Sequence, residues 1–166
     1  RGLGDVYKRQ PSELAHIRSD PPDAITQAMP LGRILSTRQA WAFMMGKFFT
    51  DAIWRWNIYL LPLFFNQHFG MKIFEFGPPF LVIYLMADVG SIGGGWLSST
   101  LLKRGWSLNK ARKTAMLVCV IGVLPVALTT FVPIEWKWVA ICIVGLAMAS
   151  HQGWSSNLYT SVSDLF

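Results

Sequence analysis

Lys47, Asp51 and Arg55 stand at successive four-residue intervals inside an otherwise apolar stretch, so on a helix they share one stripe. Two cations and one anion leave that stripe with a net positive charge, which suits a carboxylate-bearing solute. A charge held at bilayer depth costs about 2.5–3.5 kcal/mol on insertion scales, so such groups normally face a bundle interior or a wet cavity. Two readings follow. Either Lys47 and Arg55 both neutralise Asp51 in an internal ladder, or the stripe recruits an anion while Asp51 holds the cations in place or exchanges a proton.

A second polar group lies near the C-terminal end, where His151, Trp154 and Ser155 share a helical face with Gln152 and Ser156 beside it. Hydroxyls need neutral donors and acceptors, and an indole offers a flat apolar wall with one donor. His151, Gln152 and Trp154 therefore suit a sugar-like ring. The same side chains also suit hydrogen bonds between helices. His151 titrates near neutrality when unperturbed, and Asp88, spaced with Tyr84 and Ser91 on one face, is an intramembrane acid. Asp51, Asp88 and His151 are the groups open to a proton-linked role, with a structural role standing beside it for each.

Other chemistries lack their residues. Gly90, Gly93, Gly94 and Gly95 follow no strand and precede no Gly-Lys-Ser/Thr, so they are not a nucleotide loop; Gly90 and Gly94 instead fit the small-xxx-small pattern of close helix packing. Cys119 and Cys142 each sit in an apolar block, as packing thiols do, and no metal site, disulfide or cofactor is expected. No paired acids or nucleophile–base arrangement can be assembled, so the chain is not expected to be an enzyme. The basic residues lie between apolar blocks rather than among base-stacking aromatics, which argues against nucleic acid as a partner.

The elements that must position these groups are long and apolar. The 166 residues are 52% hydrophobic and 14% charged, with the hydrophobicity gathered into four segments near the roughly 20 residues that cross a bilayer. They are expected as helices at about 40–65, 79–102, 114–132 and 138–166. The third has no ionisable group and a kink-prone Pro125, so it reads as an outer scaffold, whereas the charged first and polar fourth should face a cavity. Residues 11–39 are polar and proline-punctuated and read as a linker. Lys103, Arg104, Lys110, Arg112 and Lys113 cluster between the second and third segments, which places 103–113 and the linker on the cytoplasmic side. Residues 1–10 share no character with the rest and read as a non-native, adapter-derived start.

The runs WAFMMGKFFTD, VIYLMADVGSIGGGWLSSTLLKRGWSLNKARKTAML and HQGWSSNLYTSVSDLF resemble the hexuronate transporters of the anion:cation symporter group, in the major facilitator superfamily. The resemblance implies an all-α integral membrane fold in which the four segments are the seventh to tenth of twelve helices, part of the C-terminal half. It implies proton-coupled symport of an anionic sugar acid such as glucuronate or galacturonate across a bacterial inner membrane by alternating access, together with an N-terminal half outside these residues. Ala52 and Arg55-Trp56-Asn57 depart from the proline and aromatic-rich stretch of such relatives. Another organic anion, an aldonate or a sialic acid, is the alternative cargo, and a non-transporting membrane sensor of the same fold is the alternative role.

Overall fold

A computed structural model describes residues 30–163, with the side chain of Trp56 set aside. The expectations for residues 1–10, for 11–29 of the linker and for 164–166 lie outside the described residues. The chain divides into two compact units, Arg1–Ile34 and Leu35–Phe166. The short helix α1 (Leu31–Leu35), which spans the boundary, starts from Pro30, whose carbonyl accepts from Arg33 and Ile34 N–H at 2.8 and 3.2 Å.

Among its described residues the second unit has four long helices. Helix α2 (Arg38–Phe69) starts where Thr37, in an extended conformation, accepts the Ala40 N–H on its hydroxyl, and stops at Gly70, whose φ of 64° only glycine adopts without strain. That stop lies beyond the Phe65 expected from hydropathy, because Asn66, Gln67 and His68 are polar yet still helical. Asn66 then ties off the end by donating its amide to the Met71 carbonyl at 2.9 Å. Helix α3 (Gly77–Lys103) opens on prolines, which lose nothing where backbone N–H groups have no helical acceptor.

Helix α4 (Leu108–Val123) begins six residues before the expected Thr114, so Lys110, Arg112 and Lys113 occupy its first turns rather than a loop. Pro125 has no N–H to continue the α ladder, and from Leu124 to Phe131 the chain winds as a 3₁₀-helix instead. Helix α5 (Lys137–Ser163) follows a 3₁₀ turn at Ile134–Trp136.

Among the described residues, three stretches are long and apolar enough to cross a membrane, Gly77–Lys103, Leu108–Phe131 and Ile134–Ser163. Helix α2 has the length, and its charges and polar residues set it apart in composition. Large apolar side chains such as Val89, Ile92, Trp96, Leu117 and Ile121 point outward, as suits a lipid solvent. Helix α5 is the centre of the packing, lying mainly against α3, then α4, and more lightly against α2.

The α3–α5 contact explains the glycines. A Cβ on Gly90 would overlap the backbone of Ala149, and one on Gly94 would come within 2.5 Å of the Gly153 Cα, so the two backbones touch directly. Buried Asn157 on α5 locks the register by donating to the Gly94 carbonyl at 2.8 Å. Phe65, Ile83, Ile141, Val144 and Met148 fill the apolar core beside it.

Candidate functional site

Helices α2 and α5 meet through a short polar seam. Lys47 Nζ lies 2.7 Å from Asp51 Oδ1 along α2, donates to Ser155 Oγ on α5 at 2.8 Å, and sits 4.6 Å from the centre of the Tyr159 ring. One ammonium thus has an anionic, a neutral and an aromatic partner. Trp154 of α5 packs above the same turn, where a Cβ on Gly46 would be 3.7 Å from its ring, so the glycine lets the helices approach.

One turn further on, Trp54 stacks on the His151 ring at 5.2 Å with 20° between the planes. His151 Nε2 lies 3.1 Å from the Thr50 carbonyl oxygen. A carbonyl can only accept, so Nε2 carries the proton and donates. In the neutral ring Nδ1 is then a bare acceptor, and it is buried with no partner among the described residues. Thr50 turns its own hydroxyl back on the Gly46 and Lys47 carbonyls, which leaves its carbonyl as the group presented to His151.

Two spaces flank the seam. One, of about 470 Å³, is lined mostly by apolar side chains of α2, of α4 with its 3₁₀ extension and of α5, with His151, Asn57, Thr129 and Thr130 as its polar members. The other is an open groove of about 480 Å³ along α2 itself, lined by Phe43, Met44, Lys47, Phe48, Asp51, Ala52 and Arg55.

The stripe on α2 therefore divides. Lys47 turns into the interhelix seam with 18% of its side chain exposed, whereas Asp51 is 48% exposed. Arg55 is exposed and makes no hydrogen bond or ion pair among the described residues. Lys47, Asp51, Trp154 and His151 are brought to one side of α5. Gln152 is half-buried with no side-chain hydrogen bond in the described set, and Asp88 is exposed on α3. Tyr159 and the Thr50 carbonyl are seam members that the sequence reading did not single out. The signal for Tyr159 was present: His151, Ser155 and Tyr159 repeat every four residues, the same interval as Lys47, Asp51 and Arg55.

Comparison with known proteins adds a family likeness. The Major Facilitator Superfamily pattern matches residues 6–166. The hexuronate transporter of Escherichia coli (strain K12) is 25% identical over 173 aligned positions, covering 97% of this chain and 40% of that protein. The "Probable galactarate/D-glucarate transporter GudP" of Pseudomonas putida is 27% identical, covering 69% of this chain and 25% of that protein. The chloroplastic ascorbate transporter of Arabidopsis thaliana is 24% identical, covering 89% and 27%. The chain thus spans 40% or less of the length of these relatives. No solved structure matches significantly.

Proposed function

The chain belongs to the major facilitator superfamily, and from that premise we propose that it supplies the seventh to tenth helices of a secondary active transporter for anionic sugar acids, with hexuronates such as glucuronate as the leading cargo. A companion N-terminal half, outside these residues, completes the passage, and the two halves rock about a central site. No bond of the solute is made or broken. The protein is an integral membrane protein; the bacterial origin of the hexuronate and aldarate transporters among its relatives supports an inner-membrane setting, with residues 11–39 and 103–113 facing the cytoplasm.

One observation carries the reading: the groove along α2 is lined by two cations, Lys47 and Arg55, the second without a hydrogen-bonding or ionic partner among the described residues. Ligand sites commonly enclose about 300–1,000 Å³, a range that includes this groove. In the proposed site Lys47 and Arg55 meet the carboxylate and Asp51 sets their spacing. His151, Gln152 and Trp154 meet the hydroxyls and the ring. Within these residues the groups open to a proton-linked role are Asp51 and His151 at the seam, with Asp88 outlying on α3, while the resemblance places the coupling carboxylate itself in the companion half. A second cargo, an aldarate, draws support from the galactarate/glucarate relative.

Uptake of labelled glucuronate by cells expressing the complete transporter, challenged with excess galactonate, sialate or glucarate, tests the reading. Competition by unlabelled glucuronate above the others, and loss of uptake when the proton gradient is collapsed, are expected. Failure to take up any sugar acid ends it.

A further inference from the structure

Asp88 is the only acid of α3, and it lies two residues before the middle of the Gly77–Lys103 span. At 1.5 Å per residue that is about 3 Å from the midplane of a bilayer centred on the span. Its side chain is exposed and makes no hydrogen bond or ion pair among the described residues. Lys103, the one cation of the helix, stands at its far end, about 22 Å away by axial rise and out of reach. Lipid headgroups are about 15 Å distant on either side. On the same face Leu81, Leu85 and Ile92 are largely exposed, so aliphatic groups rather than polar ones frame the carboxylate. A charge in that setting is costly, and it is tolerated where a counter-charge meets it.

We propose that this outward face of α3 is a surface on which the companion N-terminal half docks, with Asp88 ion-paired to a lysine or arginine that a span of that half holds at the same depth. The inference rests on the two-half reading above and gives Asp88 an anchoring role rather than a proton-linked one. The opposite face of α3 is already committed to α5 through Gly90 and Gly94, so the outward face is the one left to receive a partner. The chain spans 40% or less of its relatives' length, so most of the spans that could supply a cation lie outside it. A second copy is a poor occupant by charge. Two copies related by a two-fold axis would set Asp88 against its own counterpart or against aliphatic groups, because α3 carries no cation near that depth. Leu81, Leu85 and Ile92, with the exposed ring of Tyr84, then form the surround that keeps water from the pair.

The test uses the complete transporter in lipid nanodiscs and has two readouts. The first is the sign of the change in unfolding temperature. Opposite a cation, Asp88→Asn and Asp88→Leu each strand the partner charge and should lower that temperature by several degrees, while Asp88→Glu keeps most of the stability. Opposite lipid, Asp88→Leu takes a charge out of hydrocarbon and should raise it; opposite water, both neutral variants should leave it unchanged. Either of these results overturns the docking surface. The second readout keeps Asp88 intact and so survives a folding defect in those variants. Photo-reactive p-benzoylphenylalanine in place of Leu85 or Ile92 should give adducts that mass spectrometry maps to a span of the N-terminal half. Adducts joining two copies, or adducts to lipid alone, overturn the proposal. Glucuronate binding by the wild type, measured on the same samples, separates the two readings: its absence ends the cargo reading alone, and its presence beside a failed docking result ends the docking surface alone.

Discussion

At the scale of the residue, Lys47 and Arg55 carry the same charge in different settings, and that difference predicts a split between stability and transport. Lys47 joins two helices through Ser155 and Tyr159, so Lys47→Met removes a charged donor from a buried hydroxyl and an ion pair from Asp51. We expect a loss of about 1–3 kcal/mol in thermal unfolding in detergent, together with loss of uptake. Arg55 has no bonded partner among the described residues, so Arg55→Gln should leave unfolding within about 0.5 kcal/mol of wild type while weakening uptake at least as strongly. Equal destabilisation by the two would mean that Arg55 is a structural ion-pair member instead. His151 offers a second division. Phe at 151 keeps the stack on Trp54 and removes both the Nε2 donor and the orphaned Nδ1, so His151→Phe should change stability by less than about 1 kcal/mol. His151→Ala, which leaves Trp54 bare beside a cavity, should cost more than about 2 kcal/mol. Both variants should bind glucuronate less tightly in a direct binding assay.

At the scale of the element, the contact between α3 and α5 leaves no room for a side chain at two glycines and ample room at a third. Gly94→Val would drive a branched side chain into the Gly153 backbone and should cost about 3 kcal/mol or more, read as a lowered unfolding temperature or loss of monodisperse protein. Gly93→Ala, with nothing within 4 Å of the added carbon, should be neutral or slightly stabilising because alanine favours the helix. If both behaved alike, the backbone contact would not be what holds the pair together. The small-xxx-small spacing of Gly90 and Gly94 was legible in the sequence, since it depends on one helix alone; its partner was not, because spacing says nothing of which neighbour fills the notch. The same limit applies to the site. The four-residue interval placed Lys47, Asp51 and Arg55 on one face, but only the neighbouring helix decides that Lys47 turns to Ser155 while Arg55 stays in the groove. Helix ends were read short for another reason. Apolar runs mark the membrane-depth part of a helix, whereas Gly70 and Ser107 mark where α2 stops and α4 starts, with polar turns lying between run and cap.

At the scale of the whole molecule, the arrangement of charge along the spans predicts an orientation that labelling can read. The turn between α3 and α4 brings Lys103, Arg104 and Lys110 together at one end, with Arg112 bonded back to the buried Ser98 hydroxyl at 2.9 Å. The turns at the other ends of these helices, near residues 70–76 and 132–137, carry Lys72 and Lys137 against Glu75 and Glu135, so positive and negative charge balance there. Moving one cation outward against an inside-negative potential of 100 mV costs about 2.3 kcal/mol, so several together strongly favour leaving the α3–α4 turn in the cytoplasm. Single cysteines in the complete transporter, placed in a background with Cys119 and Cys142 replaced by alanine, convert this into a measurement. Arg104→Cys should react with a membrane-impermeant maleimide only after the cells are opened, whereas Lys72→Cys and Glu135→Cys should react in intact cells. Labelling of all three from outside would mean that α3 and α4 do not cross the bilayer. The reverse pattern would invert the transporter and place the α2 groove on the opposite approach to its solute.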